Sequence, residues 1–500
     1  MVTISLGKLQ QNIGLMTVDV LSKYEAVIGL EVHAQLQTES KLFAGDANSF
    51  GASPNTHVSA ITLGHPGTLP KMNRKAIEYA IRMGLVCHAE IAKYNYFARK
   101  NYFYPDLPKG YQISQHTTPI CSGGFVSIKT SAGNKDIMLT RIHLEEDAGK
   151  SIHDQNEELT LLDYNRAGVP LIEIVTEPVI HSSEEAAAYV TEIRKLVRWI
   201  GICDGNMEEG SLRCDANISI RIKGDKKLGT RVEVKNLNSI KHVKHAIEIE
   251  IERLVEITER GESIIQQTRS YDADRGTTFA IRTKEDAEDY RYFPEPDLAP
   301  FHFTDSFIEA IKSKLPSLPQ QRIDHYIHDL GLTEYDASQL VDEISLSNMF
   351  EGIAAGTNHK KLLANFFLGP VRSHLNAHEL GWDALHISAS QWDGLLSLVA
   401  EGKIAFSIAA QEILPQLYTN DNADALQIAT QQNLVQDADA AEITAWVELV
   451  LNSMPEKVDE YRKGKKGLIG LFVGEIKKVS KGKADPRIAT ELLTDFLNKK

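Results

Sequence analysis

From residue 24 to about 300, apolar and polar positions alternate in short runs: AVIGLEVHAQL, GGFVSIKT, IMLTRIHL, PLIEIVTEP, ANISIRI and TRVEVKNL. Stretches rich in Gly, Pro, Asn and Asp separate them. A period of about two marks half-buried strands, and the intervening residues mark turns. Two segments keep a helical period instead. Residues 182–200 open on a Ser cap followed by acids and place Ile193, Leu196, Val197 and Ile200 on one face. Residues 242–260 repeat the pattern with Val243, Ile247, Ile251, Leu254 and Ile257. Strand runs interrupted by isolated helices predict an α+β domain rather than a wound βαβ sheet. Beyond PEPDLAP (294–300) the period is helical, over 308–314, 320–330, 335–346, 360–375, 390–401, 407–417, 437–452 and 486–499. One large α+β domain, a helical domain and a small helical tail are expected, with no internal repeat.

Composition narrows the class without choosing the function. The chain has 500 residues, 42% hydrophobic and 24% charged, which excludes a mostly disordered or collagen-like protein. No apolar run reaches the ~18–20 residues of a membrane span, and the N-terminus lacks a secretory pattern, so a cytoplasmic protein is expected. Four cysteines, Cys87, Cys121, Cys203 and Cys214, form no CxxC pair and read as reduced thiols. The net charge of −14 argues against a general nucleic-acid binder, but it is unevenly distributed. Residues 461–500 hold eleven Lys and Arg against four Asp and Glu, a local +7, leaving −21 for the rest. Their cations flank an apolar stretch, LIGLFV (468–473), which predicts a folded helix with a cationic surface suited to a phosphate backbone.

Acids and cations fall on the strand runs. Glu31 and His33 share one strand face, where a carboxylate and an imidazole can hold a divalent cation or form a solvated pair. Glu145, Glu146 and Asp147 are consecutive, and Glu173 interrupts an apolar run, where burial would demand a partner. Glu208 and Glu209 precede a Gly turn, after which Arg213, Asp215 and Asn217 alternate onto one face. Glu233 and Lys235 do the same, with Asn236, Asn238 and Ser239 beyond. Each alone reads as a solvated strand face. Together, carboxylates for Mg²⁺ and cations for phosphates fit phosphoryl transfer from ATP, as in a glutamine-synthetase-type amide ligase. No P-loop motif and no GxSxG nucleophile elbow occurs. Arg99, Lys100 and Lys109 interleave with Tyr102, Phe103, Tyr104 and Tyr111, which could stack a base or simply cover a core edge.

Seven segments occur in an order that resembles one family: GLEVHAQL, RKNYFYPDLPKGYQISQ, RIHLEEDAGK, LLDYNRAGVPLIEIVTEP, MEEGSLRCDANISIR, EVKNLNS and DYRYFPEPDL. They resemble the B subunit of the aspartyl/glutamyl-tRNA amidotransferase, and the tail resembles its YqeY-like C-terminal domain. The resemblance implies a glutamine-synthetase-like cradle on an antiparallel-rich sheet over 24–305, a helical domain over 306–425 and a tRNA-binding tail over 426–500. Residues 1–23 fall outside it. It further implies a heterotrimer with a glutaminase A subunit and a small C subunit, and no membrane. ATP would phosphorylate the side-chain carboxylate of Glu on tRNA(Gln) or Asp on tRNA(Asn), and channelled ammonia would displace the phosphate.

Carried onto this sequence, the resemblance makes Glu31, His33, Glu146, Glu209 and Asp215 metal ligands, with Glu145 and Glu173 as further candidates. Arg166, Arg213, Asn217, Glu233, Lys235 and Asn236 would bind ATP or the aminoacylated 3′ end. Glu146 paired with Lys100 would gate the ammonia exit, with Arg213 as a third catalytic residue. Lys463, Lys465, Lys466, Lys477, Lys478 and Lys481 would grip tRNA. Many relatives carry a cysteine zinc knuckle near the start. Ala44, Asp46, Ser59 and Thr62 stand at those positions here, so no zinc is expected.

Overall fold

A computed structural model describes residues 20–152, 158–283, 290–435, 440–480 and 483–498. The chain divides into two compact units, Met1–Leu318 and Pro319–Lys500. This division lies downstream of the expected 305/306 boundary because the helix Asp305–Lys312 packs on Arg74–Val86 of the first unit.

The first unit is organised by a 13-stranded sheet. Its principal elements are β1 (Tyr24–Gln35), α1 (Arg74–Val86), β2 (Ala98–Asn101), β3 (Tyr111–Ser114), β4 (Phe125–Thr130) and β5 (Gly133–Glu146). They continue with β6 (Pro170–Thr176), α2 (Ser183–Trp199), β7 (Leu212–Ile222), β8 (Val232–Leu237), α3 (Ile240–Glu259), β9 (Gln267–Asp272), β10 (Thr277–Thr283) and β11 (Phe293–Pro294). The strand order is β10-β9-β8-β7-β1-β6-β5-β3-β2-β11, and of these pairs only β8–β9 is parallel. The fold class is therefore α+β on an antiparallel-rich sheet.

Both expected helices form, and their capping is local. Ser182 accepts a hydrogen bond from the Glu185 amide at the start of α2, and Ser239 accepts one from His242 at the start of α3. α1, with the sequence RKAIEYAIRMGLV, is a third helix that the strand-dominated pattern obscured. The three pack on the apolar side of the sheet. Leu30, Val32 and Ala34 of β1, Ile172 and Ile174 of β6, and Ala216 and Ile218 of β7 are all buried there. Alternation within each strand then leaves the intervening residues on the opposite side.

The second unit is helical. The run expected over 335–346 is two helices, Glu334–Leu340 and Ile344–Ala354, and the run over 360–375 passes through a wide turn at Phe367–Val371 that absorbs Pro370. Helices Ala425–Gln431 and Pro455–Arg462 lacked a legible period. The last four helices share their own core, including Ile443, Val447, Phe472, Ile476, Leu493 and Leu497. The expected apolar stretch lies in the helix Ile469–Val479, which buries Phe472 and Ile476. Lys463, Lys465, Lys466, Lys477 and Lys478 are exposed around it, while Lys481 lies outside the described residues. Among the described residues no helix is long and apolar enough to cross a membrane.

Candidate active site

The sheet face opposite the helices carries the chemistry. On β1 it presents Glu31, His33 and Gln35; on β5, Arg141, His143 and Glu145; on β6, Glu173; on β7, Arg213, Asp215 and Asn217; on β8, Glu233 and Lys235. Strand register aligns them in rows. His33 stands opposite Glu173 on one side and Arg213 on the other, and Glu173 in turn faces His143. Glu31 faces Asp215, and Asn217 faces Glu233. Register shifts between Cys214 and Ala216, so Lys235 and Asn236 of β8 both face Asp215. Asn236 takes up the extra residue with a φ of +67°, a left-handed conformation that Asn tolerates better than most residues. Lys235, next in the ladder after the Ala216–Val234 pair, sets its ammonium on Asp215.

Two acid trios result, each with ligand atoms within 4.8 Å of one another: His33, Glu145 and Glu173; and Glu31, Asp215 and Glu233. In the first, His33 Nε2 lies 3.8 Å from Glu145 and 3.6 Å from Glu173, and His143 Nε2 lies 3.5 and 3.2 Å from the same carboxylates. Burial alone would push both imidazoles down. The hydrogen bonds and charges of Glu173 and Glu145 outweigh it, raising His33 and lifting His143 to about 9. Burial likewise opposes ionisation of Glu145 and Glu173, but the two histidines hold both carboxyls below their ordinary value, Glu173 well below. Each imidazole therefore favours the charged form of the carboxylates beside it, and they favour the charged imidazole.

The second trio is balanced differently. Lys235 Nζ lies 2.7 Å from Asp215 and 3.0 Å from Glu233, and burial, which disfavours its charge, is outweighed by these acids so that it is raised. Asn217 donates to Glu31 at 2.8 Å, and Thr268 donates to Glu233 at 2.9 Å. Glu31 is raised, first by burial and then by its neighbours Glu173 and Asp215. A carboxyl pushed up by like charges is a site short of positive charge.

Behind the trios Asp147 holds three donors: Gln35 Nε2 at 2.7 Å, Arg213 at 3.0 Å and Arg166 at 3.4 Å. Burial raises Asp147, but Arg213 and Arg166 outweigh it and keep the carboxyl low. Arg166 is also pinned to the carbonyls of Ala148 (3.1 Å) and Gly149 (3.3 Å). Buried Nε atoms of Arg141 and Arg213 and Nδ1 of His143 have no hydrogen-bond partner. Such orphaned donors beside carboxylate trios suit a ligand bearing both anionic oxygens and a divalent cation, with oxygen-rich donors favouring Mg²⁺ or Mn²⁺.

Glu146 points the other way. It accepts hydrogen bonds from Lys109 Nζ and, at 2.8 Å, from the Ile113 amide. With Lys41, Phe43, Gly64 and Tyr111 these two residues line a cavity of about 30 Å³. Lys41 is buried there, which lowers its ammonium to about 8 against the pull of Asp46 and Glu146. Gly64, at φ +66°, lets its loop close on Lys109; a Cβ there would sit 2.6 Å from that side chain. The same loop is tied at positions where the resemblance led cysteines to be expected: Asp46 accepts hydrogen bonds from Ser59 Oγ at 2.8 Å and from Thr62 Oγ1.

Of the residues singled out from sequence, the structure brings together Glu31, His33, Glu145, Glu173, Arg213, Asp215, Asn217, Glu233 and Lys235 on one face. Glu146 belongs to the opposite cavity, paired with Lys109 rather than Lys100, because adjacent residues on a strand face opposite ways. Lys100 lies instead 4.7 Å from the Tyr290 ring, and Arg99 is tied to Glu295 and Asp297. Glu209 sits in a turn outside both trios, its amide donating to Asn206. Asn236 serves the bulge. His143 and Arg141 were missed as site residues, although the i, i+2 spacing that links Glu31 to His33 also links Arg141, His143 and Glu145, and Lys109 was placed in the aromatic–basic cluster rather than with Glu146.

Residues 26–309 match the family described as the GatB/GatE catalytic domain, and residues 348–497 match that described as the GatB domain. The chain is 46% identical over 476 residues to the B subunit of the aspartyl/glutamyl-tRNA(Asn/Gln) amidotransferase of Thermodesulfovibrio yellowstonii, spanning 95% of this chain and 99% of the relative. It is 44% identical over 475 residues to the protein of the same name from Chlorobium phaeobacteroides, covering 95% and 99%. For that of Desulfotalea psychrophila the figures are 45% over 480 residues, covering 95% and 100%.

Proposed function

This chain belongs to the GatB family, the B subunits of tRNA-dependent amidotransferases, and on that footing we propose that the polar sheet face is where ATP activates the carboxylate of a tRNA-borne Glu or Asp for amidation. The observation that carries this reading is the pairing of two acid trios with orphaned cationic donors on one face. His33, Glu145 and Glu173, and Glu31, Asp215 and Glu233, would each hold a divalent ion, Mg²⁺ by the hardness of the donors. When bound, these ions supply charge neutralisation for phosphoryl transfer.

The chain's own residues divide the remaining work. Arg213, fixed by Asp147, offers its free Nε to a phosphate or carboxylate oxygen, and Arg141 offers another from across β6. Lys235 is held by Asp215 and Glu233 until a stronger cation competes for them. On the other side of the sheet Glu146 and Lys109 stand in a cavity suited to passing a small neutral molecule. Ammonia from a glutaminase partner would enter there as neutral NH₃ and attack the carbonyl carbon of the acyl phosphate; the C–N bond forms, the C–O bond to phosphate breaks, and phosphate leaves as nitrogen loses a proton to solvent. The exposed lysines of the last helices would grip the tRNA backbone. At Asp46, Ser59 and Thr62, where the resemblance led cysteines to be expected, hydrogen bonds to Asp46 do the tying, and no zinc is proposed.

The test is the complex reconstituted with its glutaminase and small subunits, given Glu-tRNA(Gln) and Asp-tRNA(Asn) in turn. Amide formation coupled to ATP consumption is expected with at least one. Binding of tRNA without amide formation would overturn the reading in favour of a docking scaffold. Deleting residues 461–500 is expected to weaken tRNA binding and flatten its salt dependence; an unchanged salt slope removes the tail from that role.

A further inference from the structure

Along the rim of the polar face runs an uninterrupted row of rings. Tyr104 and Tyr102 lie 5.8 Å apart at 67°, Tyr102 and Tyr290 6.1 Å at 72°, and Tyr290 and Tyr292 6.0 Å at 73°. Tyr292 then stacks on His116 at 3.9 Å and 6°. Lys100 sits over this row, 4.7 Å from the Tyr290 centroid and 5.7 Å from that of Tyr102. Burial raises Tyr102 and Tyr292, and Glu145 adds to both, so the row borders the first acid trio. Edge-to-face neighbours leave each other's outer faces uncovered, and Tyr104 is 53% and Tyr292 37% exposed.

The backbone is arranged to build this row. Tyr102 and Tyr104 leave β2, whereas Tyr290 and Tyr292 enter β11, which pairs with β2 at Phe293 and Arg99. Between the latter tyrosines Arg291 has a φ of +45°, a conformation costly for a long side chain. Asn101 holds it there: its amide donates to the Tyr290 carbonyl at 2.9 Å, and its Nδ2 donates to the Arg291 carbonyl at 2.9 Å. A strained residue kept in place by the neighbouring strand sets two rings side by side.

We infer that Tyr102, Tyr104, Tyr290, Tyr292 and His116, with Lys100, form a stacking platform for the unpaired nucleotides at the 3′ end of the tRNA. This inference rests on the proposed function. Unpaired nucleotides are held by aromatic faces flanked by cations, without need of base-specific hydrogen bonds. The row extends past a single base plane, whereas ATP brings only one base, so a short single strand is the better fit. The orphaned Arg141 Nε, whose charge acts on both His116 and Tyr292, supplies a further cation for its backbone.

The experiment uses the full complex and measures KM for the aminoacyl-tRNA and for ATP in the Tyr290→Leu/Tyr292→Leu double variant and in the matching Phe pair. Loss of stacking is expected to raise the aminoacyl-tRNA KM by about tenfold or more, with the ATP KM unchanged and the Phe pair close to wild type. Three results would overturn the platform: an unmoved tRNA KM, a rise confined to ATP, or Phe variants as impaired as Leu. Wild-type complex that forms no amide would instead refute the proposed function, so the two failures are distinguishable.

Discussion

The His33–Glu145–Glu173 and Glu31–Asp215–Glu233 trios share a sheet face and the strand β1, yet the positive charge that balances each differs in kind. The first is balanced by two imidazoles, one raised to about 9, which can lose a proton and become ligands where they stand. The second is balanced by a lysine whose ammonium is likewise raised by its acid neighbours, and which can only yield its place by moving. The difference lies in the strands. His33 and His143 are short, ring side chains placed in register, whereas Lys235 sits beside a bulge and reaches its acids on a flexible stem. On the proposed function, the first trio would take up a divalent ion by releasing protons and the second by displacing Lys235.

The most severe break would come from removing one carboxylate from each. Losing an outer partner of a metal ligand typically costs about 10–100-fold, so Glu173→Gln and Asp215→Asn are each expected to lower kcat by at least on the order of 10²-fold in the reconstituted complex, with tRNA affinity nearly intact. If one variant keeps near-wild-type turnover, that trio is not a working metal site. A smaller effect separates the balancing cations. Lys235→Met removes the resident competitor at Asp215 and Glu233, so Mn²⁺ titrated calorimetrically should bind the second trio severalfold more tightly while the first is unchanged. Weaker binding there would make Lys235 a support for the site rather than its occupant.

The smallest expected effect is on stability. The pKa of His143 is raised in the folded state, so its pairing contributes fully below an unfolded value of about 6.5 and is lost as pH rises through about 9. Metal-free protein should therefore melt a few degrees lower at pH 9.5 than at pH 6.5, with the difference reduced in Glu173→Gln. Melting that rises across this window in the parent would show that the imidazoles are neutral in the metal-free state. Divalent binding at the first trio should also release protons, and so tighten as pH rises.

Much of this face was legible because strand alternation is simple. Once GLEVHAQL is a strand, Glu31 and His33 must share a side, and the same rule sorts Arg213, Asp215 and Asn217. It could not say which strands become neighbours. Glu145 and Glu173 join His33 only because β6 lies between β1 and β5, a tertiary choice with no local signal. Applied strictly, the rule would have sent Glu146 away from Glu145 and recovered His143 and Arg141. Reading three consecutive acids as one group hid this. The pairing of Glu146 with Lys109, and the row linking Tyr102 to Tyr290, join residues far apart in sequence and needed the folded chain. α1 was overlooked because it interrupts a strand-rich region, although RKAIEYAIRMGLV carries a regular amphipathic period.

Glu145 and Glu146 are consecutive on β5, about 3.3 Å apart along the strand, yet one faces the acid trios and the other the Lys109 cavity. A strand locked by ladders on both sides is a poor hinge and a good lever. Any displacement of β5 imposed at one carboxylate is delivered to the other without an intervening joint. Two chambers on opposite faces of the sheet thus share a common wall, and the stiffness of that wall sets how far events on one side are felt on the other.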